Sequence, residues 1–147
     1  MQSRASVFID RPVHEVFAFV ADLTNQPRWQ TGVISATVVG GGPIGIGSRV
    51  RIASSYQGRS GESELEVTEF TPDDRIGFRT SSPVRGHGSY AVRADGAGTR
   101  VSVSGSVQLE GIASLAGGIA EKMVEREMTR SLERLKAILE RRESSGS

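Results

Sequence analysis

The spacing of apolar and polar positions changes along the chain, and the last change is the largest. From Ile112 to Arg142 the apolar residues Leu115, Ile119, Met123, Met128, Leu132, Leu135, Ile138 and Leu139 keep returning to one stripe at helical period. Glu121, Lys122, Glu125, Arg126, Arg130, Glu133 and Arg134 form a solvated face, and no Gly or Pro interrupts Glu121 to Glu143. These are strong helix formers. A helix of about thirty residues spans roughly 45 Å. It cannot bury such a stripe alone, so the pattern predicts a long C-terminal helix lying across a sheet.

Upstream the period falls to two. Arg4 to Ile9 sets Ala5, Val7 and Ile9 on one side of a first strand. Asp10 stands at an N-cap position with Pro12 in the first turn, and Val13, Val16, Phe17 and Val20 give a short helix its apolar face. Asp22 to Gln30 reads as a second short helix or turn, limited by Pro27 and carrying Trp29. Val33 to Val39 is β-branched and strand-like, and the glycine-rich loop Gly40 to Gly47 follows it.

The remaining strands are joined by tight turns whose registers can be tested by charge. A two-residue turn at Gln57-Gly58 sets Val50 against Leu65 and Ile52 against Ser63, with Arg49 facing Glu66 and Arg51 facing Glu64 on the other side. A turn at Thr71-Pro72-Asp73-Asp74 then sets Val67 against Phe78 and Glu66 against Arg79. Both turns yield one apolar face and one charged face with an Arg49–Glu66–Arg79 ladder, and a one-residue slip would bury the charges. The loop Asp95-Gly96-Ala97-Gly98 pairs Tyr90 with Val103 and Val92 with Val101, while also placing Arg93 opposite Arg100.

Bulk composition narrows the function. With 147 residues, 37% apolar and 24% charged, the chain fits one globular domain with a real core. A net charge of +1 leaves no electrostatic footprint for nucleic acid. The absence of cysteine and the presence of only His14 and His87 argue against disulfides, thiolate chemistry and a metal centre, and no cofactor motif is present. No apolar run has the length of a membrane span, and Met1 to Arg4 lacks a signal-peptide layout, so the expected location is cytoplasmic. Gly40 to Gly47 lacks the Lys-Ser/Thr of a phosphate-binding loop and precedes a strand. Residues 1–142 are expected to form one domain, with 143–147 a flexible polar tail.

In this order the motifs resemble the START-like helix-grip superfamily (SRPBCC, Bet v 1-like), and within it the polyketide cyclase/dehydrase-type branch. Ile9-Asp10-Arg11-Pro12-Val13-His14-Glu15-Val16-Phe17 is similar to the family's opening. Asp22, Pro27-Arg28-Trp29, Gly45 to Arg49, Val67 to Ile76, Gly98 to Val101 and Leu132 to Lys136 continue the likeness along nearly the whole chain. The resemblance implies an α+β helix-grip fold of order β-α-α-β6-α: a curved antiparallel sheet of about seven strands wrapped around the long C-terminal helix, with an internal hydrophobic cavity. It also implies a hydrophobic small-molecule ligand, lipid-, sterol- or polyketide-like. Carriage, and cyclisation or dehydration of a polyketide, are both functions of the family.

With the registers above, the lining would comprise Ile52, Ser54, Tyr56, Leu65, Val67, Ile76, Phe78, Tyr90 and Val103, with Ile119, Met123 and Glu127 from the helix. Two roles fit Trp29: a gate at the mouth near Gly42 to Gly47, or a wedge sealing the short helices onto the sheet. Tyr56 and Tyr90 are either hydrogen-bonding anchors or structural phenols. The register turns His87 outward, and only a bulge at its flanking glycines would turn it inward. Glu127 lies at the edge of the helical stripe, facing either cavity or solvent. No catalytic constellation stands out. The expectation is a binder or carrier, as monomer or homodimer, with a polyketide aromatase/cyclase or dehydratase as the alternative. A further alternative is an accessory or membrane-associated interaction protein using the apolar segment Ile112 to Ala120.

Overall fold

The computed structural model describes residues 2–56, 58–80, 85–107 and 117–145. Strand β1 (Gln2–Ile9) leads into helix α1 (Val13–Ala21), a 3₁₀ turn (Leu23–Asn25) and the single-turn helix α2 (Gln26–Trp29). Strands β2 (Val33–Val38), β3 (Arg49–Tyr56), β4 (Arg59–Thr71), β5 (Arg75–Thr80), β6 (Gly86–Asp95) and β7 (Gly98–Val107) follow, and helix α3 (Gly117–Ser145) ends the chain. All seven strands form one antiparallel sheet in the order β1-β7-β6-β5-β4-β3-β2. It is a curled half-barrel closed by the C-terminal helix. Because β1 and β2 lie at opposite edges, the segment joining them must cross the open side, and α1 and α2 do so.

The registers follow side-chain chemistry. Val50 pairs with Leu65, Val67 with Phe78, Tyr90 with Val103 and Val92 with Val101, as the alternation predicts. Arg49 and Arg79 both lie opposite Glu66, but the contacts differ from a simple ladder. Arg79 pairs with Glu66 at 3.1 Å, whereas Arg49 reaches diagonally to Glu64 at 3.7 Å. Diagonal neighbours are within reach of long side chains on a twisted sheet. The expected Arg93–Arg100 juxtaposition is present, and Arg100 is relieved by Asp95 at 3.6 Å. A bulge between Val67 and Glu69 shifts the β4–β5 register, a device that sharpens local twist and bend.

Asp10 does not cap α1. Pro12 is the N-cap residue, with φ −61°, and no side chain caps the helix. The Asp10 amide instead donates to Glu140 Oε2 at 2.9 Å, so the residue joins β1 to α3. Asp22 does cap the 3₁₀ turn, accepting from the Thr24 amide at 3.2 Å.

The C-terminal half of α3 is the anchored half. Leu132, Leu135 and Leu139 are buried, and the helix packs on β1 and α2. Burying one such leucine contributes roughly 1.5–3 kcal/mol. Lys136 Nζ donates to the Phe8 carbonyl at 2.8 Å and to Glu140 at 2.7 Å, fastening the helix to the end of β1. The helix runs on to Ser145, into the stretch expected to be a tail, where Glu143 still favours helix. Nor does α3 cover the apolar face alone: α1 packs over β5, β6 and β7 near buried Val92 and Val101. Ile9, Val16, Val20, Leu23, Val50, Val67 and Ile76 fill the core beneath. Among the described residues, no helix is long and apolar enough to cross a membrane.

Candidate functional site: a cavity between the sheet and the last helix

Where α1 does not reach, the sheet and α3 diverge. The gap is a cavity of about 570 Å³, bounded by β5, the start of β6, the end of β7, the α2 segment and α3. Its apolar wall comes from Trp29, Phe78, Val103, Met123, Val124 and Met128. Glycine keeps it open: a Cβ on Gly105 would lie 3.4 Å from Met128 Cε, and one on Gly88 would lie 3.1 Å from the Phe78 ring. Volume and composition fall in the range of small-molecule sites.

Three aromatic rings make the inner wall. Trp29 stacks edge-on against Tyr90 with centroids 5.3 Å apart, and Phe78 does the same from the other side at 5.1 Å. Such geometry matches ring quadrupoles. Trp29 is 1% exposed, so it is the wedge that seals α2 to the sheet, and its ring forms cavity wall as well. It is not a gate beside Gly42 to Gly47. Gly42, Pro43 and Ile44 line a separate hollow of about 540 Å³ against α1, together with Phe17 and Phe70.

The polar groups are concentrated where α2 meets α3. Gln26 Nε2 donates to the Tyr90 hydroxyl at 2.8 Å, and the hydroxyl donates to Gln30 Oε1 at 2.8 Å. Burial pushes the Tyr90 phenol well above its ordinary range, against the opposing effect of the two glutamine hydrogen bonds. Tyr90 is therefore a fixed neutral dipole. Thr31 Oγ1 donates to Glu127 Oε2 at 2.7 Å, and the Thr31 amide donates to Ser131 Oγ at 2.9 Å. Arg130 also approaches Glu127 Oε1, at 3.2 Å.

Of the residues singled out in the sequence, the structure brings Trp29, Phe78, His87, Tyr90, Val103, Met123 and Glu127 to the cavity. Ile52, Leu65, Val67 and Ile76 are not on its wall; they are buried in the core cluster with Val16, Phe17 and Leu23. They share the inward parity of Phe78, but they are packed within that cluster and not against the cavity. Ser54 is half-buried on β3, opposite Val33, away from the cavity. The side chains of Tyr56 and Ile119, and the segment 108–116 that holds most of the apolar run from Ile112, lie outside the described residues.

His87 pairs with Ser106 in an unbroken β6–β7 register, so no bulge turns it inward; it is exposed and belongs to the rim. Glu127 faces the cavity with 29% of its side chain exposed. Gln30, Thr31 and Ser131 escaped the sequence reading. Ser131 lies one helical turn beyond Glu127, which is a readable signal; Gln30 and Thr31 join it only through the fold. Among the described residues, no group of three His, Asp or Glu converges as a metal site would require.

A half-barrel gripping its last helix around a cavity defines the helix-grip class of the SRPBCC, or Bet v 1-like, superfamily. Residues 1–140 match the family model described as polyketide cyclase/dehydrase and lipid transport, and the chain belongs to that family. None of the curated proteins compared matches it. Among solved structures it is similar to TTHA0849 from Thermus thermophilus, at 22% identity over 93% of this chain and 95% of that one, with a TM-score of 0.79. It is also similar to the Zhui aromatase/cyclase from Streptomyces sp. R1128, at 17% identity over 97% and 94%, with a TM-score of 0.77. Ara h 8.0201 matches at 14% identity over 94% and 96%, with a TM-score of 0.70. These likenesses concern the fold.

Proposed function

We infer that the protein binds and carries a hydrophobic small molecule in the cavity between β5–β7 and α3. The observation that carries this reading is the cavity itself, of about 570 Å³, with an apolar aromatic and methionine wall and polar groups gathered along one side. A space meant only as core would be filled, since interiors pack close to crystal density. The same family includes cyclases and dehydratases, and turnover in this cavity would need an acid–base pair facing the substrate. Among the described residues, Glu127 and His87 are the titratable lining residues besides the locked Tyr90, and no hydrogen bond joins them. That favours binding over turnover.

Native mass spectrometry of freshly purified protein, followed by denaturing extraction, tests the reading. The expected result is a discrete apolar mass released on unfolding, or a thermal upshift with added lipids, sterols or polyketide mimics. A clean apo mass together with no thermal shift from any of these would sink it.

A further inference from the structure

The cavity's polar side has a definite hydrogen-bonding valence. The Tyr90 hydroxyl donates its one hydrogen bond to Gln30 Oε1 and accepts one from Gln26. The Thr31 hydroxyl donates to Glu127 and accepts from Ser131 Oγ at 3.3 Å, and Ser131 Oγ in turn accepts from the Thr31 amide. Those groups are engaged with one another. Two capacities of this network are left over. The Gln30 carboxamide, oriented by Tyr90, retains the Nε2 protons as donors, with no partner among the described residues. The Glu127 carboxylate accepts one hydrogen bond on each oxygen and has lone pairs to spare.

A donor and an acceptor on one wall suit a group that both accepts and donates. Charge adds a second condition. Among the described residues, Glu127 is the one Asp or Glu on the wall and no Lys or Arg lines the cavity. Arg130, the cation that does reach Glu127, is not among the lining residues and is 59% exposed. A carboxylate ligand seated there would therefore meet a like charge beside an apolar wall, with no cation among the described lining residues to pair with.

We propose that the cavity selects neutral ligands bearing a hydroxyl, seated on the Gln30 and Glu127 wall, and discriminates against carboxylate ligands of the same chain length. This rests on the reading of the cavity as a ligand site. It separates alcohols and phenols from fatty acids, which an apolar wall alone cannot do.

The test uses 1-decanol and decanoate at neutral pH, titrated into the whole chain by Trp29 fluorescence and in parallel by calorimetry. Trp29 is the single tryptophan and stands in the cavity wall, so its emission reports entry directly. The expected outcome is an affinity for decanol at least ten-fold above that for decanoate. Glu127→Gln should retain the fold and the Thr31 contact while bringing the two affinities several-fold closer, mainly by improving decanoate. Equal affinities in the parent protein, a preference for decanoate, or an unchanged ratio in E127Q would each overturn the selectivity and leave the cavity reading standing. Binding of neither probe by either method would overturn both.

Discussion

Gln26 Nε2 donates to the Tyr90 hydroxyl at 2.8 Å, joining α2 to the middle of β6 across 64 positions of sequence. Both side chains are buried, and the same hydroxyl continues to Gln30. The cavity wall is thus held by one phenol with both of its hydrogen-bonding roles assigned. Tyr90→Phe keeps the ring contacts with Trp29 and Phe78 but strands the Gln26 amide in the core. An unsatisfied buried donor costs about 1–3 kcal/mol. We expect urea unfolding to show a lower midpoint with an unchanged slope, a loss in that range. A change below the error of the measurement would mean that Gln26 finds another partner.

The same phenol sets an alkaline limit. Its folded pKa is raised above the ordinary value near 10 because burial disfavours the phenolate. Below about pH 10 both folded and unfolded states hold the proton, so Tyr90 adds no pH dependence there. Above that, the unfolded state releases its proton first, and stability must fall as pH rises. Stability curves of the parent and Tyr90→Phe should therefore run parallel through neutral pH and converge above about pH 10. Curves that stay parallel throughout would show that the phenol ionises in the folded state at its usual pH.

Much of the sheet was readable because its two faces carry opposite chemistry. Arg49, Glu66 and Arg79 share one parity, while Val50, Leu65, Val67 and Phe78 share the other, so a period of two fixes the register. The boundary of the cavity was not readable in the same way. Leu65, Val67 and Ile76 point inward like Phe78 and Tyr90, yet they are core and not cavity wall. Parity states which face a residue takes. It does not state that α1 and α2 must cross that face because β1 and β2 lie at opposite edges. Gln30 and Thr31 belong to the site for the same topological reason, and a local pattern carries no trace of it. Asp10 shows the converse error: a good capping residue by type, its amide held by Glu140 from the far end of the chain.

Glu140 should make the β1–α3 junction acid-sensitive. Its carboxyl is held below the ordinary range by the hydrogen bond from Lys136 first, then by the Asp10 amide. A carboxylate with a depressed pKa contributes stability above its unfolded value, and that contribution disappears as pH falls through the lower folded value. Glu140→Gln should be less stable than the parent at neutral pH, and the difference should shrink below about pH 4.3, where the unfolded glutamate takes up its proton. Thermal denaturation of both proteins across that range checks it. A gap that widens on acidification would reverse the assignment.

Two glycines with opposite surroundings separate packing from cavity. A Cβ on Gly98 would lie 2.5 Å from Phe8 Cζ and 2.8 Å from the Ile9 carbonyl oxygen, at the β7–β1 pairing. Backbone cannot yield there, so Gly98→Ala should destabilise by about 1–3 kcal/mol, the usual cost of overpacking. A Cβ on Gly105 meets only the tip of Met128 at 3.4 Å and the His87 carbonyl at 3.8 Å, with the cavity beyond. Gly105→Leu should therefore fold with stability near that of the parent while filling part of the cavity. The expected signature is a normal melting transition combined with loss of most of the decanol response of Trp29. If Gly105→Leu binds decanol as the parent does, the ligand does not occupy this cavity, whatever else it binds. If Gly98→Ala proves as stable as the parent, β1 and β7 are not packed as closely as the Phe8 contact requires.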